Sequence, residues 1–272
     1  MRLSVMTYTL AQRSSGPEFD LVRWCEFTRE LGLDGIDVVT TYGRHPREVR
    51  RLLDSFGLEA ACYTFFADLS QGDPVPWQRG VDAVKRGIDT AVILGTDKIM
   101  TVGPGKDGVP REDLRRSILR GFEAAMPHAI QARVSITTES IPGVSSPFVT
   151  CADFAEAKKV LPDLKLTFDC GNVLTGGEDP AESYRKCAKD VVHAHFKDMV
   201  VGSEGTLGSD GRRYRSALIG EGVIDHKACL QAMKDAGYKG YIDLEYDGGV
   251  YEPEDATRRS KEYLQELMTR LT

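Results

Sequence analysis

The chain has 272 residues, with 35 lysines and arginines against 41 aspartates and glutamates, and a formal net charge of −6. Hydrophobic residues make up 41% and charged residues 28%, which is typical of a globular protein and excludes a disordered chain. The acidic balance argues against a nucleic-acid partner, because neutralising phosphates requires a basic surface. No apolar run approaches the ~18 residues of a membrane span, so we expect no membrane association.

The N-terminal segment and the cysteines both indicate a cytoplasmic protein. Residues 1–16 lack the apolar core of a signal peptide, and Ser4, Thr7 and Thr9 alternate with apolar residues as in a strand. The six cysteines are scattered and form no CxxC pair. We therefore expect reduced, unpaired thiols.

Short strand-like runs alternate with amphipathic helical runs along the whole chain. The predicted strands are Leu3–Thr9, Gly35–Thr41, Leu58–Phe65, Lys98–Val102, Val134–Glu139, Leu164–Asp169, Val191–Lys197 and Tyr241–Tyr246. The predicted helices are Glu18–Leu31, Pro46–Phe56, Trp77–Leu94, Arg111–Ala132, Cys151–Leu161, Pro180–Ala188, His226–Ala236 and Glu254–Leu271. Two polar stretches, 67–76 and 201–215, read as extended loops that follow strands.

This alternation predicts parallel βαβ units. Eight units over this length leave about 34 residues each, as in a (β/α)8 barrel. No Pro/Ser-rich linker divides the chain, so residues 1–272 are predicted to form one α/β domain, a TIM barrel. A doubly wound open sheet is the alternative, but the chain lacks the phosphate-loop fingerprint that would favour it.

Polar residues recur at alternate positions of the last four predicted strands. Successive strand residues point to opposite faces, so one set packs under the helices and the other faces the barrel axis. The axial set ends on Glu139, Asp169, His195 and Glu245, one from each strand. We therefore expect these four side chains to meet at the C-terminal mouth of the barrel.

Three carboxylates that converge in a barrel interior repel one another unless a cation lies between them. Three oxygen donors and one nitrogen donor suit a single divalent cation such as Mn²⁺ or Mg²⁺, with Co²⁺ or Zn²⁺ also compatible. The alternative is an ion network with Lys165, Lys197 and nearby arginines. A closed structural zinc site is disfavoured, because the set contains no cysteine.

Six segments of the sequence are similar to motifs of a known family. They are GLDGIDV (32–38), ITTES (136–140), TFDCGN (167–172), HAHFKD (193–198), IGEGVID (219–225) and IDLEYDG (242–248). In this order and spacing they resemble the strand-end motifs of the xylose isomerase-like TIM barrels. Within that group they resemble the sugar phosphate isomerase/epimerase branch, which includes ketose 3-epimerases, hydroxypyruvate isomerases and inositol-pathway enzymes.

The resemblance implies that Glu139, Asp169, His195 and Glu245 are metal ligands, and that Glu139 and Glu245 also form an acid/base pair. It further implies a sugar or polyol substrate and a homo-oligomer. One position departs from the family pattern, because many members carry histidine where this chain has Asn172. An amide can hold a substrate hydroxyl, but it cannot act as a cation or a general acid.

Four further residues are candidate substrate contacts. His193 and Lys197 flank His195 on the axial face, and Lys197 could stabilise an enediolate oxygen or form a salt bridge. His45 follows the second strand, and Arg215 lies in the long polar stretch. A core histidine is the alternative for His193.

The site predicts a metal-dependent isomerase or epimerase that removes a proton next to a carbonyl and passes through a cis-enediolate. A lyase or dehydratase acting on an oxidised sugar or inositol is one alternative, which Asn172 favours. A non-catalytic sugar-binding barrel is another. An apurinic endonuclease is disfavoured, because the chain has only five histidines and no basic groove.

Overall fold

Parallel strands close into a barrel in the computed structural model, which describes residues 1–11, 16–70, 73–102, 106 and 108–271. The strands are β1 (Arg2–Met6), β2 (Gly35–Val39), β3 (Glu59–Phe66), β4 (Lys98–Val102), β5 (Ser135–Glu139), β6 (Lys165–Asp169), β7 (Val191–Phe196), β8 (Asp198–Gly202), β9 (Thr206–Leu207), β10 (Arg213–Ala217) and β11 (Tyr241–Leu244). Strands β1 to β7 follow one another around the barrel, and β11 closes it between β7 and β1. The predicted (β/α)8 TIM barrel is confirmed.

Helices follow the barrel strands as the alternating pattern predicts. They are α1 (Thr7–Ala11), α2 (Leu21–Glu30), α3 (Pro46–Phe56), α4 (Pro74–Leu94), α5 (Arg111–Ala132), α6 (Cys151–Val160), α7 (Cys170–Thr175), α8 (Pro180–Cys187), α9 (His226–Asp235) and α10 (Pro253–Thr269). The bounds of α3 and α5 are those predicted from the sequence. Helix α6 begins with a capping box, in which the Thr150 side chain accepts from the backbone of Asp153. No helix in the described ranges is both long and apolar enough to cross a membrane.

The two faces of the last four barrel strands divide as predicted. The outward residues pack with the helices in one apolar core that includes Ile136, Phe168 and Ile242. The axial residues are polar and also buried, as Thr137, Thr167 and Asp243 show. Burial of polar side chains along the axis means that each one must find a partner inside the barrel.

The first predicted strand is too long. Strand β1 ends at Met6, and Thr7–Ala11 forms the short helix α1. The Thr7 hydroxyl accepts from Val39 N at 2.8 Å, and the Thr9 hydroxyl accepts from Tyr246 N at 2.9 Å. These threonines bond to the ends of neighbouring segments instead of continuing the alternation of a strand.

The prediction of a loop over residues 201–215 is wrong. Strands β8, β9 and β10 form a small antiparallel sheet after β7, with β10 in the centre. Gly205 has a φ of 108°, and a Cβ there would lie 2.2 Å from the carbonyl oxygen of Tyr214. A polar, Gly-rich composition therefore allows a tight hairpin here rather than an irregular loop. The other predicted loop, 67–76, is shorter than expected because α4 already begins at Pro74, and its residues 71–72 lie outside the described ranges.

The expectation that all cysteines are unpaired is also wrong. Cys151 and Cys187 form a disulfide, while Cys25, Cys62, Cys170 and Cys229 are free and buried. Cys151 is the first residue of α6 and Cys187 is the last residue of α8. The two cysteines are 36 residues apart, and no local sequence pattern links them. The packing of α6 against α8 brings the start of α6 next to the end of α8.

Two helices end on residues in the left-handed conformation, Arg133 and Gly57, and substitutions there test how this conformation affects stability. Both residues end helices, with φ of 57° and 63°, and a Cβ on Gly57 would meet nothing within 4 Å. We expect Gly57→Ala to lower the free energy of unfolding by about 1 kcal/mol, because the αL conformation disfavours a Cβ. Arg133→Gly should raise it by about 0.5 kcal/mol. Urea unfolding measures both changes. A change in the free energy of unfolding in the same direction for the two variants would contradict this account.

Candidate active site

Four buried side chains meet at the C-terminal mouth of the barrel, as the strand alternation predicts. Glu139 ends β5, Asp169 ends β6, His195 lies near the end of β7, and Glu245 follows β11. One donor atom from each lies within 4.8 Å of the others. Asp169 and His195 are fully buried, whereas Glu139 and Glu245 keep 7% and 6% exposure, so the two glutamates border the opening.

The distances in this quartet fit a divalent cation. His195 Nδ1 lies 2.7 Å from Glu139 Oε1 and 3.3 Å from Glu245 Oε2. In an octahedral shell with bonds of about 2.1 Å, neighbouring ligands are about 3 Å apart and opposite ligands about 4.2 Å apart. Three carboxylates and one imidazole also form a suitable donor set for Mg²⁺, Mn²⁺, Co²⁺ or Zn²⁺. These residues can therefore hold one such ion.

The start of helix α7 fixes the carboxylate of Asp169. The backbone N–H groups of Gly171 and Asn172 donate to Asp169 Oδ1 at 2.8 and 2.7 Å, so Asp169 is the N-cap of this helix. The Asn172 side chain donates from Nδ2 to Asp169 Oδ2 at 2.9 Å. Asn172 Oδ1 is buried and has no hydrogen-bond partner among the described residues. That oxygen is a free acceptor beside the quartet, as a site for a substrate hydroxyl requires.

Lys197 brings a positive charge into the same pocket. Its Nζ lies 2.7 Å from Glu245 Oε1, 3.2 Å from Asp169 Oδ2 and 3.5 Å from Asp247 Oδ2. The lysine stem crosses Gly171, where a Cβ would lie 2.3 Å from Lys197 Cγ, so only glycine leaves room for this path. Lys197 therefore lies on the axial face and forms a salt bridge with the site carboxylates, as the sequence predicts.

The charges of this pocket shift the pKa values of its members strongly. Burial alone would raise the pKa of Glu245, but the Lys197 ammonium and His195 outweigh it and lower the pKa to about 2. Burial raises the pKa of Asp169, and the neighbouring Glu245 and Glu139 raise it further, against the opposing effect of Lys197. Burial would lower the pKa of Lys197, but the surrounding carboxylates raise it well above its usual range. The lysine therefore stays charged.

Three other predicted site residues lie outside the quartet. His193 is fully buried one layer deeper and contacts Asp37 and Asp243. His45 is exposed and caps α3, where its Nδ1 accepts from Arg47 N at 3.2 Å. Arg215 is an exposed residue of β10, opposite Val200 in the small sheet.

Asp247 belongs to this site although the sequence analysis assigned it no role. Its carboxylate faces Lys197, and burial, together with the nearby Glu245, raises the pKa of Asp247 to about 6. Asp37 and Asp243 complete the layer below the quartet. All three aspartates could have been found from the sequence, because they lie in the family-like segments 32–38 and 242–248. Asp37 and Asp243 also follow the alternation that places residues on the axial face.

Comparison with family models finds one family that matches most of the chain. The model described as "xylose isomerase-like TIM barrel" matches residues 25–267. The chain belongs to this family. The resemblance drawn from the sequence segments is thereby confirmed.

Curated relatives of the chain carry the name inosose dehydratase. The protein from Lacticaseibacillus casei is 22% identical over 259 residues, which span 87% of this chain and 86% of the relative. The protein from Geobacillus thermodenitrificans is 21% identical over 257 residues, spanning 86% and 85%. A dehydratase is a lyase, which is a different class from the isomerase or epimerase that the sequence predicts first.

Solved structures share the fold across the full chain. A structure of L-ribulose 3-epimerase superposes with a TM-score of 0.82 at 16% identity, covering 98% of this chain and 94% of the other. The IolI protein, solved with a bound zinc atom, gives a TM-score of 0.82 at 17% identity and covers 100% and 99%. At such identities the likeness shows the fold of the barrel alone.

The charge balance around Lys197 can be tested in the cation-free protein. Lys197→Met leaves the two buried carboxylates of Asp169 and Glu245 without their ammonium partner, which should cost about 3–5 kcal/mol of stability. Added Mn²⁺ should restore much of this loss, because a cation in the quartet replaces the missing charge. Urea unfolding with and without Mn²⁺ measures both effects.

Lys165→Met is the matched control. Lys165 pairs with Asp190 at 3.2 Å, and its side chain is 32% exposed, so its loss should cost no more than about 1 kcal/mol. Mn²⁺ should stabilise this control only as much as wild type. The account would be contradicted if Lys197→Met matched the wild-type stability without a cation.

Proposed function

We propose that the chain is a lyase that uses a divalent cation to remove water from a polyhydroxylated ketone of the inosose type. The inosose dehydratases that align over most of the chain support this choice of reaction. The observation that carries it is the 2.7 Å contact between Lys197 Nζ and Glu245 Oε1. This contact makes the two glutamates of the acid/base pair chemically different from each other.

The cation would be held by Glu139, Asp169, His195 and Glu245, and we propose Mn²⁺ as the natural ion. Oxygen-rich donor sets favour such harder ions, although Mg²⁺, Co²⁺ and Zn²⁺ fit the same ligands. When bound, the ion polarises the substrate carbonyl and makes the neighbouring C–H group more acidic. The remaining chemistry belongs to side chains of this chain.

Glu139 is the proposed general base. Its Oε1 contacts His195 Nδ1, whereas the lysine is bonded to Glu245 and Asp169. Among the residues that the structure describes, Glu139 is therefore the one of the two glutamates at the opening that has no ammonium partner. It takes the proton from the carbon beside the carbonyl, and the electrons of that C–H bond form the enolate.

Lys197 and Glu245 act on the leaving hydroxyl. The enolate electrons then form a carbon–carbon double bond and break the C–O bond on the next carbon. The Lys197 ammonium, held by the ionised Glu245, donates a hydrogen bond to the departing oxygen and transfers to it the proton that completes water. The proton that Glu139 has taken then returns through solvent to the neutral Lys197 amine. Asn172 Oδ1 accepts a hydrogen bond from a substrate hydroxyl and so fixes the ring.

A sugar isomerase or epimerase is the second candidate function. Both glutamates contact the same His195 Nδ1, at 2.7 and 3.3 Å, from the ends of β5 and β11, which are separated by β6 and β7. Two carboxylates on either side of one carbon could remove and return a proton. This reaction would need Glu245 to act as a free acid or base, which its bond to Lys197 opposes.

Mass spectrometry of the reaction in D₂O separates the candidates. The Mn²⁺-loaded protein is incubated with inosose, 3-keto sugars and monosaccharides. The proposed lyase gives a product lighter than inosose by one water. An isomerase or epimerase gives deuterium in a product that has lost no water, and binding without exchange in any compound would indicate a sugar-binding barrel. Either of the last two results would overturn the proposal.

Two variants test the assigned roles. Glu139→Gln should lower both deuterium exchange and dehydration by about 10²–10⁴-fold, because it removes the general base. Lys197→Met, loaded with Mn²⁺, should lower dehydration by a similar factor while exchange persists, since the base remains. Equal loss of both rates in Lys197→Met, with Mn²⁺ still bound, would contradict the role given to the lysine.

A further inference from the structure

A second polar layer lies directly beneath the quartet and shares one residue with it. Asp37 on β2, His193 on β7 and Asp243 on β11 are fully buried. They surround the inner edge of the His195 ring, whose other edge faces the two glutamates. The proposed dehydration leaves these three residues without a role.

The inner nitrogen of His195 faces carboxylate oxygens. Its Nε2 lies 3.4 Å from Asp37 Oδ2 and 3.7 Å from Asp243 Oδ2. An ionised carboxylate can only accept a hydrogen bond, so a hydrogen bond from this nitrogen to Asp37 requires the proton on Nε2. Nδ1, on the other edge of the ring, lies 2.7 Å from Glu139 Oε1, so without an ion this nitrogen also carries a proton. A cation bound in the quartet would take the place of the proton on Nδ1 and leave the proton on Nε2.

Neighbouring groups hold Asp37 in place. The Thr64 hydroxyl donates to Asp37 Oδ2 at 3.2 Å, and His193 Nε2 contacts the same oxygen at 3.1 Å. His193 Nε2 also lies 3.0 Å from Asp243 Oδ2, and the Ser4 hydroxyl bonds to the other oxygen of Asp243. Strands β1, β2, β3, β7 and β11 contribute to this network, so it is as rigid as the barrel itself.

We propose that Asp37 is a positioning residue that holds the proton on His195 Nε2 and thereby presents the Nδ1 lone pair to a divalent cation in the quartet. His193 and Asp243 keep the Asp37 carboxylate in register. This inference rests on the proposed cation, but not on the reaction that the cation supports. Carboxylates commonly orient metal-binding histidines in this way, and their loss weakens metal affinity about 10–100-fold.

The same four groups could instead hold a second cation of their own. Donor atoms of Asp37, His193, His195 and Asp243 lie within 4.8 Å of one another. His195 would then have to bind one ion through each ring nitrogen, and no proton would remain on Nε2. The two arrangements differ in the number of ions bound per chain.

The test measures Mn²⁺ affinity and stoichiometry by calorimetry in wild type, Asp37→Ala, Asp37→Asn and Thr64→Val. Asp37→Ala removes the acceptor, and its dissociation constant should rise about 10–100-fold. Asp37→Asn keeps an acceptor oxygen and should stay within about threefold of wild type. Thr64→Val disturbs the surroundings of Asp37 but leaves the bond to His195, so it should also stay within about threefold. Circular dichroism confirms that each variant is folded.

A second measurement needs no variant. Long-range ¹H–¹⁵N spectra of the Zn²⁺-loaded wild type should show His195 protonated on Nε2 and metal-bound through Nδ1. The inference is overturned if Nε2 carries no proton, if folded Asp37→Ala binds Mn²⁺ as tightly as wild type, or if wild type binds two ions per chain. Tight single-ion binding without dehydration would refute the proposed function and leave this inference standing, whereas no ion binding at all would refute both.

Discussion

The structure depends on how the barrel neutralises carboxylates that it buries at its mouth. Glu139, Asp169 and Glu245 converge on His195 in a space that water hardly reaches. Like charges at such distances in a medium of low dielectric repel strongly, and burial of each alone would be costly. Lys197 supplies one positive charge, and a divalent cation among the four donors would supply the rest. The proposed cation would therefore be the positive partner that these side chains have in common.

This constraint also explains why the sequence predicted so much. The period of two along a strand places Glu139, Asp169, His195 and Glu245 on one face, and the barrel topology brings four neighbouring strand ends to one rim. Helix α3 was predicted to the residue because Pro46 marks its first turn and Gly57 ends it. Fold and metal quartet thus follow from local periodicity and closure.

Other features depend on contacts that no local pattern contains. His45 caps a helix that begins at the next residue, and this role was not predicted from its place after the second strand. Its contact with substrate stays a prediction. The bond between Cys151 and Cys187 requires two helices to pack side by side. The three ion pairs of Lys197 require a glycine at position 171, because a Cβ there would meet the lysine side chain. Nothing in the local sequence pattern except the nearness of Gly171 to Asp169 points to this requirement. A homo-oligomer and a cytoplasmic location stay predictions.

The proposed chemistry rests on the difference between the two glutamates. One faces the lysine and the other does not, and this asymmetry suits an elimination better than the symmetrical proton exchange of an epimerase. The central claim beneath it is that four distant residues share one cation. Anomalous diffraction from crystals soaked in Mn²⁺ tests it most directly. The account predicts a single peak bonded to Glu139, Asp169, His195 and Glu245, and a map with no peak there, or with the peak among other residues, would contradict it.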